Sequence, residues 1–243
     1  MALPKLNQTL NFKMKIPSTG KTVKFRPYLV KEEKVLLQAY ESGDTITALE
    51  SMVDTIAACV DPKEKLDVAA LTTFDVEYMF LQVRSKSVGE TSTIVLRCEN
   101  CEHENPVKFT IDGIEIEVGK QDNIIELNDE ISVEMKYPSY QTLMQDDVVA
   151  RAESDDDEVN AETAFAMLAG SISAVLTEDE RIDLEDQPKE EVEEFLNSMT
   201  TGQLQDIAEF LQNIPALEHE IKYKCTECKH ENEVKLKGLA DFF

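Results

Sequence analysis

The chain has 243 residues, of which 42% are hydrophobic, enough for one large core or two smaller ones. Its net charge of −25 repels the phosphates of nucleic acids and of anionic membrane surfaces, so neither is expected as a partner. No apolar run reaches the ~18 residues of a bilayer span, and the first residues lack the apolar stretch of a signal peptide. We therefore expect a protein that is made in a cytoplasm and stays in reducing surroundings.

A β-hairpin is the first predicted element, within residues 1–30. Residues 8–16 and 22–26 alternate between apolar and polar side chains, which is the pattern of half-buried strands. The segment Pro-Ser-Thr-Gly at 17–20 predicts the turn between them.

The hairpin turn ends in Gly-Lys-Thr, as a phosphate-binding P-loop does. That motif requires glycine at position 15, where this chain has Lys15. It also requires a helix after the loop, whereas residues 23–26 continue as a strand pattern. The sequence therefore favours a simple turn.

A helical lobe is predicted for residues 31–90, where the apolar period changes from two to about 3.6. The first helix starts at Leu29 and ends near Gly43, and Asp44 is a candidate N-cap for the second. Asp-Pro at 61–62 stops the second helix, and a third is predicted over 75–86.

Strands flank each of two C-x-x-C motifs. They are predicted at 91–97 and 105–111 for the first motif, and at 218–224 and 234–237 for the second. Shorter alternating runs lie at 114–118, 124–127 and 131–137. We assign residues 91–137 and 216–243 together to one zinc-ribbon sheet module.

The residues between these two segments, 138–215, are predicted to form a helical insertion. Its helices are expected at 139–152, 161–175, 189–199 and 201–212. An acidic run at 153–158 is typical of a solvated loop. It could instead bind a cation, but it lacks the glycine and the spaced ligands of an EF-hand.

An internal repeat carries the chemistry. The segment Cys-Glu-Asn-Cys-Glu-His-Glu-Asn, beginning at Cys98, recurs from Cys225 with the same cysteine, histidine, glutamate and asparagine positions. Each C-x-x-C turn presents two thiolates to a metal, and tetrahedral zinc needs four. The sequence therefore predicts one structural zinc ion bound by Cys98, Cys101, Cys225 and Cys228.

Other roles for these residues stay open. The cysteines could be a redox dithiol pair, although they lack the helix N-terminus that lowers a thiol pKa, or four thiols without a metal. His103 or His230, two positions after the second cysteine of each motif, could replace a cysteine ligand or pack over the turn. Cys59 lies on an apolar helix face and is expected to be a core residue.

No motif for catalysis is found. The sequence contains no G-x-S-x-G, H-E-x-x-H or G-x-G-x-x-G segment, and His219 lies alone in a predicted strand. A metal-dependent hydrolase would need an open position on the zinc, and four cysteines leave none. We therefore expect a non-enzymatic protein without a small-molecule substrate.

The segment 15–37 resembles the opening of the baseplate hub proteins of T4-like bacteriophages. The resemblance lies in a P-S-T-G-K turn, an F-R-P strand end and an L-V-K-E-E-K helix start, and it extends more loosely through the cysteine motifs. It implies a hub subunit or a hub-assembly factor of a contractile tail, with other hub or tail proteins as partners. It implies assembly in the host cytoplasm and a place in the tail baseplate of the virion.

The sequence as a whole predicts an α+β fold with an N-terminal hairpin, helical lobes and a zinc-ribbon sheet. Possible partner contacts are Arg26 and Tyr28 at the hairpin end, and Phe242 and Phe243 at the C-terminus, since such residues are enriched in interfaces. Internal packing is the alternative for each of them. A zinc-ribbon adaptor in transcription or replication is the alternative function.

Overall fold

A computed structural model describes residues 12–119, 123–145 and 167–242. Helices alternate with short antiparallel sheets, which confirms the predicted α+β class. The chain divides into two compact units, one formed by Met1–Val118 with Pro215–Phe243 and the other by Gly119–Ile214. The second unit is therefore inserted in the sequence of the first.

The first unit begins with a hairpin of β1 (Phe12–Lys15) and β2 (Thr22–Phe25). The two strands pair antiparallel, and Met14 and Val23 stand opposite each other on the buried face. Gly20 closes the turn with a φ of 68°, a left-handed conformation that glycine adopts without strain. The segment is a turn between strands, as predicted.

Three helices follow: α1 (Val30–Ser42), α2 (Thr45–Cys59) and α3 (Thr73–Val88). The first ends at Gly43, which has a φ of 69°. The Asp44 side chain accepts from the backbone N–H of Thr47 in the first turn of α2 and caps that helix, as predicted. Each predicted helix is confirmed to within two residues at both ends.

The first cysteine motif lies in the loop between β3 (Thr91–Arg97) and β4 (Glu104–Thr110). These strands form a two-stranded antiparallel sheet, with Thr91 opposite Thr110 and Arg97 opposite Glu104. Residues 114–118, a predicted alternating run, bury alternate side chains but lie outside the strands.

A four-stranded antiparallel sheet organises the second unit. Its strands, in spatial order, are β5 (Ile124–Glu126), β6 (Ser132–Met135), β7 (Ile172–Leu176) and β8 (Arg181–Asp183). Side chains from the inner strands, including Val133 and Ile172, form a core with the helices of this unit.

The helices of this unit include α4 (Tyr140–Gln145), α5 (Lys189–Asn197) and α6 (Thr201–Gln212), and residues 167–171, just before β7, are also helical. Helix α6 has the predicted bounds, because Thr200 and Gln203 form a reciprocal capping box at its start. Among the residues that the structure describes, no helix is long and apolar enough to cross a bilayer.

Two predictions fail in this unit. Residues 172–176 are strand β7, not the end of the predicted helix 161–175. Four of the five residues of β7 are apolar, and periodicity alone cannot distinguish such a short run from a buried helix. Because β6 pairs with β7, residues 124–135 belong to a sheet with 172–183, not to the predicted module of 91–137 and 216–243.

The chain then returns to the first unit as β9 (Glu218–Lys224) and β10 (Glu231–Lys237), which flank the second cysteine motif. Their seven residue pairs reproduce the seven pairs of β3 and β4. A short 3-10 helix, Leu239–Phe242, ends the described chain. The sequence repeat is therefore also a structural repeat of two hairpins.

Candidate metal centre

Each cysteine motif forms a tight turn, here called a knuckle, that is closed by backbone hydrogen bonds. In the first knuckle, residues 98–103, the N–H of Cys98 donates to the carbonyl of His103 at 3.0 Å, and the N–H of Glu102 donates to the carbonyl of Cys98 at 2.8 Å. In the second knuckle, residues 225–230, Cys225 N donates to His230 O at 2.8 Å and Lys229 N to Cys225 O at 3.2 Å. The two turns thus have the same hydrogen-bonding pattern.

The knuckles also share one unusual backbone conformation. Glu102 and Lys229 occupy equivalent positions and have φ values of 58° and 63°. Non-glycine residues adopt this left-handed conformation infrequently, and usually where a turn requires it. Its recurrence shows that each knuckle needs the same bend after its second cysteine.

The two knuckles bring four sulfur atoms together. The Sγ atoms of Cys98, Cys101, Cys225 and Cys228 all lie within 4.8 Å of one another. The Sγ atoms of Cys98 and Cys228 are 3.6 Å apart, and those of Cys101 and Cys225 are 3.7 Å apart. Four sulfurs held at ~2.3 Å from a central zinc would be about 3.8 Å apart, so the cluster has the dimensions of a tetrahedral thiolate site.

The site has a buried side and a solvent side. Cys98 and Cys225, the first cysteine of each knuckle, are buried, whereas Cys101 and Cys228 are exposed. This arrangement shields half of the coordination sphere while leaving a route by which a metal ion can enter.

The surroundings of the thiols affect their protonation unequally. Burial raises the pKa of Cys225, but the backbone N–H groups of Cys228 and Glu227 oppose it and bring that pKa to about 6. The N–H of His103 lowers the pKa of Cys101, yet the hydrogen bonds of the neighbouring thiols raise it to about 12. The surroundings therefore favour ionisation of Cys225 over ionisation of Cys101, and a bound cation would require the remaining thiols to lose their protons.

Both candidate histidine ligands lie outside the sulfur cluster. His103 and His230 are exposed. Among the described residues, the side chains placed close enough together to hold a metal ion are those of the four cysteines, and neither histidine is among them. The contribution of each histidine to its knuckle is the backbone carbonyl described above. His219 stacks on Phe109, with ring centroids 5.8 Å apart.

Sequence reasoning did not assign a role to two asparagines of the repeat, Asn105 and Asn232. Both are buried beside the knuckles, with 1% and 3% of their surfaces exposed. Their recurrence at the same distance from each motif was the signal that could have identified them.

The proposed contact residues of the hairpin end face their own unit. Arg26 donates to the Glu32 carboxylate at 2.8 Å and to the Ala58 carbonyl at 2.9 Å, and only 12% of its side chain is exposed. Tyr28 is half-buried, and this burial raises its pKa. These contacts correspond to the alternative of internal packing.

Of the two C-terminal aromatic residues, the structure describes Phe242, which also packs within its own unit. Phe242 is fully buried, its ring lies 5.9 Å from that of Phe109, and its carbonyl accepts from the Ser92 hydroxyl at 3.0 Å. Phe243 lies outside the described residues, as does the acidic run 153–158. Cys59 is completely buried in the core, as predicted, and burial raises its pKa to about 11.

Charge is distributed very unevenly between the two units. Residues 119–214 contain 25 of the 49 acidic residues and only 5 of the 24 Lys and Arg residues, a net charge of −20. The unit that contains the cysteines holds the other 24 acidic and 19 basic residues, a net charge of −5. The strong acidity of the chain is thus mainly a property of the inserted unit.

The fold and the site together define an α+β protein in which two equivalent C-x-x-C hairpins meet at a four-sulfur centre. Over residues 8–243 the chain matches the family described as T4 bacteriophage base plate protein. It therefore belongs to this family, which confirms the resemblance to T4-like baseplate proteins. Comparison with curated proteins and with solved structures found no match.

Proposed function

We propose that this chain is a non-enzymatic structural or assembly protein of the baseplate hub, held together by one structural zinc ion. The family supports the baseplate role. The observation that supports the zinc site is the closeness of sulfur pairs that are 124 and 130 residues apart in the sequence.

Zinc is the metal that suits this ligand set best. Four thiolates in a tetrahedral arrangement select soft or borderline metals such as zinc, and they disfavour magnesium and calcium, which prefer oxygen ligands. A site closed by four cysteines leaves no position for water or substrate. The metal would therefore stabilise the structure and would not take part in catalysis.

The zinc would join the chain segments on either side of the inserted unit. Cys98 and Cys101 precede the residues 119–214 in sequence, and Cys225 and Cys228 follow them. Zinc binding at a structural site contributes on the order of 10 kcal/mol, which is comparable with the total stability of a domain. The two cysteine hairpins of the first unit, β3–β4 and β9–β10, would thus depend on a single ion.

The inserted unit would guide the protein to its partners. A net charge of −20 within 119–214 creates a field that attracts a basic protein surface and repels nucleic acid. The partners we propose are other hub or tail proteins of the same phage that carry such a basic surface. Encounters of this kind are fastest at low ionic strength.

Two measurements test the proposal. Purified protein should contain about one zinc per chain by elemental analysis. Co-expression with the hub proteins of the same phage, followed by a pull-down at low and at high salt, should recover a hub partner more strongly at low salt. Absence of zinc would disprove the metal site, and absence of any hub partner at low salt would disprove the hub role.

A further measurement distinguishes a structural subunit of the hub from a hub-assembly factor. A subunit of the hub remains in the particle, so its peptides should be found by mass spectrometry in purified virions. An assembly factor should be found with hub intermediates from infected cells but not in the virions.

A further inference from the structure

We propose that Asn105 and Asn232 are positioning residues that gather the four sulfurs of the centre before the metal binds. This inference rests on the proposed zinc site and concerns how that site is formed. The two asparagines occupy equivalent positions in the structural repeat, at the start of the strand that follows each knuckle. Each one reaches across to the opposite knuckle.

The crossing contacts are reciprocal. The Oδ1 atom of Asn105 accepts the backbone N–H of Thr226 at 2.8 Å, and the Oδ1 atom of Asn232 accepts the backbone N–H of Glu99 at 3.0 Å. Thr226 and Glu99 are themselves equivalent, because each directly follows the first cysteine of its knuckle. Each asparagine therefore holds the opposite turn at the residue next to a buried sulfur.

The other end of each amide holds the asparagine's own knuckle. Asn105 donates its Nδ2 group to the carbonyl of His103 at 2.8 Å, and Asn232 donates to the carbonyl of His230 at 3.1 Å. Both side chains are buried and use their donor and their acceptor. Each amide is thus a bridge between two turns, and neither bridge requires a metal ion.

These bridges bear directly on metal affinity. A metal that must first bring two mobile turns together spends part of its binding energy on ordering them, whereas a preformed site avoids that cost. Alanine at either asparagine would leave a backbone N–H of the opposite knuckle, that of Thr226 or of Glu99, without its acceptor. Outer groups that orient metal ligands typically change metal affinity by 10- to 100-fold when they are removed.

The two bridges are unequal, because Asn105 makes two further contacts with the opposite knuckle. Asn105 also accepts from the Thr226 hydroxyl at 2.9 Å, and its Nδ2 atom lies 3.7 Å from the Sγ of Cys225. We therefore expect Asn105→Ala to weaken metal binding more than Asn232→Ala does.

Metal affinity is the first test. Zinc affinity of the full chain is measured by competition with a chromophoric chelator for wild type, Asn105→Ala, Asn232→Ala and the control Asn197→Ala, an exposed position of α5. The two knuckle variants should lose about 10- to 100-fold in affinity, and the control should not change. The cobalt-substituted variants should keep the absorption spectrum of a four-thiolate site, because all four ligands remain. Affinities within twofold of wild type for both variants would overturn the proposal.

The second test needs no metal. Metal-free protein is treated briefly with diamide and the disulfides are mapped by mass spectrometry. Wild type should form mainly the cross-knuckle pairs Cys98–Cys228 and Cys101–Cys225, whose sulfurs are already adjacent. Asn105→Ala should shift the products toward disulfides within one knuckle. An unchanged product distribution would overturn the role of Asn105 in preorganisation, whether or not the wild type contains zinc.

A milder variant covers the case in which the alanine variants fail to fold. Thr226→Val removes only the hydroxyl bond to Asn105 and keeps the backbone bond, at an exposed position. It should reduce zinc affinity severalfold and increase within-knuckle disulfides to a smaller extent. Wild-type behaviour in both measurements would then count against the proposal.

Discussion

Glu32 and Arg26 form an ion pair that joins the F-R-P segment of this chain to its L-V-K-E-E-K segment. One carboxylate oxygen of Glu32 accepts from the Arg26 guanidinium at 2.8 Å, and the other accepts the backbone N–H of Leu29 at 2.8 Å. The arginine of F-R-P and the first glutamate of L-V-K-E-E-K thus join the end of β2 to the start of α1. Side chains that are only 12% and 8% exposed make this pair largely buried.

Removal of the arginine should therefore be costly. Arg26→Met leaves the largely buried Glu32 carboxylate with only the exposed Lys31 ammonium, at 3.0 Å, as a cation, and breaking a buried pair from one side typically costs about 3 kcal/mol. The free energy of unfolding from urea titration measures this loss. Arg97→Met is the matched control, because its ion pair with Glu104 is 77% and 60% exposed and should contribute less than about 1 kcal/mol. If both variants lost the same free energy of unfolding, the Arg26–Glu32 pair would contribute no more than an exposed ion pair, contrary to this prediction.

The same pair predicts how stability depends on pH. Burial raises the pKa of Glu32, but the hydrogen bonds from Arg26, from the Leu29 backbone and from Lys31 outweigh it and lower the pKa from 4.5 to about 2. The ionised carboxylate therefore contributes fully above about pH 4.5, and its contribution is lost as the pH falls toward about 2. The contribution is about 2 kcal/mol once solvent screening is allowed for.

Comparison with Glu32→Gln isolates this effect from other acid-sensitive groups, including the cysteines. The difference in the free energy of unfolding between wild type and variant should be nearly constant from pH 7 to pH 5 and should shrink below pH 4.5. A difference that does not change down to pH 3 would show that Glu32 is not the titrating group.

The turn of the hairpin is held by Asp75, which is completely buried at the start of α3. Its carboxylate accepts from the Ser18 backbone N–H at 2.9 Å, from the Ser18 hydroxyl, and from the Thr72 hydroxyl at 2.7 Å. Asp75→Ala would leave these three half-buried donors without their acceptor, so we expect a loss of about 3 kcal/mol. Asp67→Ala, an exposed aspartate with one local bond, should change stability by less than about 0.5 kcal/mol in the same urea titration.

Local chemistry explains which parts of this fold could be predicted from sequence. The end of α1 follows from Gly43, which adopts positive φ, and the start of α2 follows from Asp44, which caps it. Both effects act within four residues of the sequence. The four-cysteine cluster was predictable despite its sequence separation, because each motif supplies half of a tetrahedral site and needs a partner.

The remaining features depend on contacts that no local pattern encodes. The apolar run of β7 fits a helix as well as a strand. It forms a strand because it pairs with β6, which lies about 40 residues earlier in the sequence. The internal contact of Arg26 could not be predicted for a similar reason: an arginine beside a turn can contact a partner or its own chain, and its ion pair depends on the position of Glu32 on α1. Likewise, the reciprocal reach of Asn105 and Asn232 requires that the two hairpins already face each other.

The proposed zinc site makes a final prediction about the five cysteines. Cys228→Ala removes an exposed ligand, while Cys59→Ala removes a fully buried thiol that lies outside the cluster. After dialysis against a chelator, Cys59→Ala should keep about one zinc per chain and lose about 1 kcal/mol of stability from the small cavity. Cys228→Ala should lose nearly all its zinc and several kcal/mol, because the energy of metal binding is part of the folding energy. Elemental analysis and thermal unfolding of both variants measure this contrast, and full retention of zinc by Cys228→Ala would refute the four-cysteine site.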